Sequence, residues 1–183
     1  MNQCQGRFVS SESELSALKE GVKDLTCLYC KQSGTLNNHG ALTGQSGVVR
    51  GIRLWCCPRR GSHPGCGKTF CIWLAEVLPG YSVPATVLAC FLRTWSTLQG
   101  DVLSAWQQAK SGFSTDSAYR WIARFVRNQG EVRTQLCRAR APPPPQGGGI
   151  LADLFEHLSL VLEKIDFIKT FQIRFQRPWP MGA

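Results

Sequence analysis

The chain has 183 residues, 43% of them hydrophobic, with 21 Lys and Arg against 12 Asp and Glu for a formal net charge of +9. That is enough apolar material for one compact domain or two small ones, and the longest apolar stretch, Val83 to Leu92, is too short to cross a bilayer. The positive excess is mostly arginine, which suits a polyanionic partner and makes nucleic acid the first candidate.

Residues 1–24 are polar and read as a tail, either frayed or holding one short helix from Ser11 to Gly21. They show no charged start followed by an apolar run and a cleavage site, so a cytoplasmic protein, bacterial in style, is expected. In such a compartment nine cysteines, an odd number, favour metal thiolates over a disulfide framework.

Residues 25–78 form a cysteine module. Cys27 and Cys30 make a Cys-x2-Cys pair; further on come Cys56 or Cys57, then Cys66 within Gly65-Cys66-Gly67-Lys68-Thr69-Phe70. Two residues between thiolates let one turn present both sulfurs to one ion, and a second turn completes four ligands. Val48 to Trp55 reads as a strand that delivers Cys56, and Lys68 to Phe70 as another, with Phe70 behind the metal. This is the layout of a zinc ribbon with an enlarged second knuckle. Cys27, Cys30, Cys56 and Cys66 are expected to hold a structural Zn2+, with Cys57, His39 and His63 as alternates for one position. Four protein ligands leave no open position for a reactive water, so no catalytic metal is expected. Cys71 is expected to pack, and Cys4, Cys90 and Cys137 have no partner at ligand spacing.

Residues 82–138 read as a helix-turn-helix-like helical domain. Pro84 opens a first helix with Val87, Leu88, Phe91, Leu92, Trp95 and Leu98 at three- and four-residue spacing. Gly100 breaks it, and Asp101 caps a second helix carrying Val102, Leu103 and Trp106. Ser114 or Thr115 caps a third, running to about Asn128, with Ala118, Ile122, Phe125 and Val126 inside. Arg120, Arg124 and Arg127 share its other face. As the last helix of a helix-turn-helix it would enter the DNA major groove, the arginines meeting guanine edges or phosphates. Ser114, Thr115 and Ser117 would donate to phosphate, and Arg50, Arg53, Arg59 and Arg60 would add phosphate contacts from the ribbon. A plain three-helix core with a solvated basic face is the simpler alternative.

Residues 141–149, with four prolines and three glycines, read as a linker. Residues 150–175 read as a C-terminal amphipathic helix reaching to about Thr170. Leu151, Leu154, Leu158, Val161, Ile165 and Ile168 form a seam that docks on its own domain, pairs two copies or takes a protein partner. Asp153, Glu156, Glu163 and Asp166 raise a metal-dependent nuclease as a further reading. No strand-borne acid accompanies them, and pairing with Lys164 and Lys169 accounts for them, so no complete catalytic constellation is seen.

Cys27-x2-Cys30, the Arg53-x-Trp55-Cys56 strand and Gly65-Cys66-Gly67-Lys68-Thr69-Phe70 resemble the zinc ribbon at the front of bacterial insertion-sequence transposases. There a ribbon ending Cys-Gly-Lys-Thr-Phe precedes a helix-turn-helix, and the pair recognises transposon ends. Ser114 to Trp121 resembles the start of the recognition helix in such proteins. The resemblance covers about Leu25 to Arg127 and implies DNA binding, as a transposase-related recognition protein or a regulator. The second knuckle is longer than the family's Cys-x2-Cys, and too few residues follow the linker for an RNase-H-like catalytic domain. The expected architecture is therefore α+β: a small zinc ribbon, a helix-turn-helix-like bundle and a linked C-terminal helix. DNA is the expected partner; the alternative is a protein-interaction module that takes a separately encoded transposase, or a second copy of the chain, through Leu151–Ile168.

Overall fold

The computed structural model describes residues 6–44, 47–59, 64–109, 112–145, 147–162 and 166–181. The fold is α+β, and the chain divides into two compact units, Met1–Ser82 and Val83–Ala183.

The first unit holds β1 (Gly6–Val9), α1 (Glu12–Glu20), β2 (Leu36–Thr43), β3 (Val49–Cys56) and β4 (Thr69–Leu74). They form one sheet in the order β1-β4-β3-β2. β1 runs parallel to β4, while β3 is antiparallel to both β4 and β2. The polar first segment is thus more than a tail. Arg7, Phe8 and Val9 pair with Ile72, Trp73 and Leu74 at the sheet edge. The short helix forms as α1, started by Ser11, whose side chain accepts from the Glu14 amide, while Glu14 reaches back to the Ser10 amide. β3 and β4 alternate faces, so Ile52, Leu54, Phe70, Ile72 and Leu74 point one way, and Leu15 of α1 joins them in a core that also contains Cys27 and Cys56. On the other face, Gly51 lets β4 come close: a Cβ there would sit 2.3 Å from the Ile72 carbonyl oxygen.

The second unit is helical: α2 (Ala85–Thr97), α3 (Val102–Ala109), α4 (Thr115–Ala139), α5 (Gly149–Val161) and α6 (Phe167–Phe175). α2 and α3 begin where expected, with Pro84 before the first helix and Asp101 accepting from the Ser104 amide and hydroxyl before the second. α4 departs from expectation. It runs 25 residues, past Asn128 to Ala139, because the buried row Ala118, Trp121, Phe125, Val132 and Leu136 continues at helical spacing. The inward row includes Trp121, while Val126, expected inside, is 38% exposed.

The C-terminal segment is two helices, not one. Leu162 leaves helical geometry after α5, and Arg174 of α6 donates to the Val161 carbonyl at 2.7 Å, satisfying an acceptor at the end of α5. Ile165 lies outside the described residues, and the expected seam is not one continuous stripe. Leu154, Leu158, Val161 and Ile168 are buried within this unit, where α5 packs on α4 and α2, and α6 on α2. α5 is docked directly after the proline run: Phe155 stacks near Phe125 (5.6 Å), Arg133 donates to the Ile150 carbonyl, and His157 Nε2 meets the Arg140 carbonyl at 3.0 Å. Past α6, Gln176 adopts a left-handed conformation and the chain folds back, burying Trp179 and Met181.

Candidate metal centre

Cys27 and Cys30 sit in the loop between α1 and β2, a turn closed by the Lys31 amide donating to the Cys27 carbonyl. Lys31 takes a positive φ of 61° to make that bond. The second turn lies between β3 and β4. Its Gly67 amide donates to the Cys56 carbonyl, and the Cys56 amide to the Lys68 carbonyl. Gly65 is required here by space: a Cβ would fall 2.4 Å from the Cys57 carbonyl oxygen and 2.8 Å from Cys56 Sγ.

These two turns bring the sulfurs of Cys27, Cys30, Cys56 and Cys66 within 4.8 Å of one another. Cys27 and Cys66 are 3.8 Å apart, and Cys30 and Cys56 3.6 Å. Neither gap is a disulfide, whose bond is about 2.05 Å. Metal–thiolate bonds of about 2.3 Å in a tetrahedron put sulfurs about 3.8 Å apart, so the cluster fits one ion with four ligands. Among the described residues it is the one group that could hold a metal. Asp153, Glu156 and Asp166 form no such group, and Glu163 lies outside the described residues.

The surroundings supply hydrogen-bond donors to the sulfurs, while burial works the other way. The Tyr29 amide donates to Cys27 Sγ (3.4 Å), the Cys66 amide to Cys56 Sγ (3.3 Å), and Thr35 Oγ1 lies 3.3 Å from Cys56 Sγ. Without a cation, burial pushes the Cys27 thiol up to about 12 and also raises Cys66. Cys30 falls to about 7, chiefly because the Gln32 amide donates to it. A cation held here would offset the burial that resists charge at Cys27 and Cys66.

The alternates separate cleanly. Cys57 is outside the cluster, its amide bound to the Thr35 carbonyl, and Cys71 is buried in β4. His39 lies on β2 with its ring 6.4 Å from that of Trp55 and inclined to it at 62°. His63 lies outside the described residues, as do Arg60 and Cys4.

The expected DNA-contacting residues fall on two units. In the first, Arg53 and Arg59 are exposed, but Arg50 is half-buried and donates to the Tyr81 carbonyl at 2.5 Å, a structural use of its charge. In the second, Arg120 and Arg127 are exposed on α4, and Arg124 is half-buried. Ser114 makes no capping bond; its hydroxyl is 3.3 Å from that of Ser117, and Thr115 is exposed. One feature of the helical unit had no sequence signal: a cavity of about 260 Å³ bounded by Arg93, Ser96 and Thr97 of α2, Phe155 and Leu158 of α5, and Phe167.

Comparison with protein-family models, characterised proteins and solved structures finds no match to this chain.

Proposed function

We propose that the protein binds DNA, using a ribbon held by structural zinc and a basic face on α4. The observation that carries this reading is the charge of the ribbon. Between Asp24 and Glu76 the chain has no carboxylate at all, against Lys31, Arg50, Arg53, Arg59, Arg60 and Lys68. A surface that only needed solubility would mix both signs; one sign alone suits a polyanion. Four thiolates on a divalent ion leave two negative charges, which the lysines beside the two knuckles offset. Zinc is the reading for the ion because four soft sulfur ligands at tetrahedral spacing suit it and the closed site needs no redox chemistry.

Arg120 and Arg127 on α4 supply a second cationic surface, and the resemblance of the ribbon to transposase recognition regions supports DNA over RNA. The role is that of a recognition protein or regulator, with no chemistry of its own. A partner-binding role for the C-terminal seam has less support, since four of its apolar side chains are buried within the helical unit.

Fluorescence anisotropy with random duplex DNA, titrated with salt, tests the proposal. Binding should weaken linearly in log–log form, with a slope near −0.9 per phosphate contacted. Replacing Arg53 and Arg59, or Arg120 and Arg127, by alanine should each flatten that slope by roughly 1–2. Elemental analysis should give one zinc per chain. Absence of binding at low salt would remove the DNA reading, and iron in place of zinc would correct the metal.

A further inference from the structure

The ribbon's outer sheet face carries an aromatic group that the metal site does not use. Leu54 and Cys56 point into the core, so Arg53 and Trp55 point out. Trp55 faces Asn37 on β2 and Thr69 on β4 in the strand register. Its indole N–H donates to the Gly67 carbonyl at 3.1 Å, which ties the ring to the second knuckle and fixes its orientation. The His39 ring lies 6.4 Å away, inclined at 62° to the indole. Trp55 is half-exposed, and Arg53, His39 and Thr69 around it are exposed.

We infer that this face binds unpaired nucleotides, with a base stacked on Trp55 and the adjoining phosphate on Arg53. The inference rests on the nucleic-acid reading above and sharpens it. A positioned indole beside a cation, on a segment without carboxylates, is what a stacking site requires. In a duplex each base already has both faces covered, so an indole on a sheet gains little there. An unpaired base has a free face to give. His39 and Asn37 supply polar edges beside the ring, without the set of convergent donors that would demand one base, so the site is tolerant of sequence.

The test compares labelled oligo(dT) of twelve nucleotides with a twelve-base-pair duplex, using the full zinc-loaded chain. Trp55→Ala should weaken oligo(dT) binding about tenfold and change duplex binding less than twofold. Trp55→Phe, which keeps a ring but loses the bond to Gly67, should stay within about threefold of the parent on oligo(dT). Metal content of each variant reports whether the knuckle is intact. Equal losses for Trp55→Phe and Trp55→Ala would show a structural role and overturn the inference. So would Trp55→Ala leaving oligo(dT) affinity unchanged while the parent still binds duplex; the DNA reading would then stand and the face would belong to a protein partner. Failure of the parent on both probes would overturn both readings together.

Discussion

The two units solve the same problem with different materials. The first unit builds its core from aliphatic side chains and Phe70, and two of that core's positions are the cluster cysteines Cys27 and Cys56, each fully buried. The helical unit contains no comparable thiol group among its described residues and packs rings instead. Phe91, Trp106 and Trp121 meet at 4.9–6.2 Å, and Trp179 touches Phe125, Phe167 and Phe171 at 5.0–6.0 Å. In the first unit the core and the candidate metal cluster share Cys27 and Cys56, so an ion held there would be coupled to the packing of the sheet. In the second the stabilisation is spread over many contacts, and no single one decides it.

Metal removal breaks this comparison most strongly. Binding at structural zinc sites is worth about 10–16 kcal/mol, and it is folding free energy. A chelator should abolish amide-exchange protection across β3 and β4 and leave α2 and α4 protected, as read by exchange mass spectrometry. Cys56→Ser should do the same. The converse probe is Trp179→Ala, which should cost the helical unit about 3–5 kcal/mol in denaturant unfolding while the chain keeps its metal.

Gly65→Ala sharpens the point within the ribbon. Its methyl group must displace the Cys57 carbonyl or the Cys56 sulfur, and a competition titration should show metal affinity reduced about ten- to hundredfold. Acid acts in the same direction and more gradually. Burial holds the Cys27 and Cys66 thiols protonated in the ion-free state, so metal entry must expel those protons. Affinity should therefore rise with pH and fall on acidification, with Cys30, lowered to about 7, giving up its proton more readily than Cys27 or Cys66. The smallest expected effects are at Cys57→Ser and His39→Ala, which should leave metal content unchanged and stability within about 0.5 kcal/mol.

The metal site was legible because ligand spacing is itself chemistry: Cys-x2-Cys and the Gly-Cys-Gly turn name sulfurs that must meet. Cys56 was expected over Cys57 because it directly follows the strand while Cys57 precedes a proline, and in the fold Cys56 continues the inward set of Ile52 and Leu54. The edges of the sheet were not legible. β2 contains Asn37, Asn38, His39 and Gly40, with no apolar alternation, because it lies at an open edge. β1 has four residues, and its partner is β4, more than sixty positions away. In the helical unit the existence of helices was readable but not their limits. Gly130 is exposed and tolerated inside α4, and the break after Val161 has no glycine or proline to announce it. The return of Trp179 was hidden for the same reason: its partners are rings on two helices, Phe125 of α4 and Phe167 and Phe171 of α6.

That return has a consequence in time. On the ribosome the chain emerges from its first residue, and the ribbon has every strand and all four sulfurs once Leu74 is out. The helical unit is different, because its aromatic centre lacks Trp179 until almost the whole described chain has appeared. Synthesis therefore delivers the complete four-cysteine cluster first, followed by helices whose aromatic centre gains its last ring late.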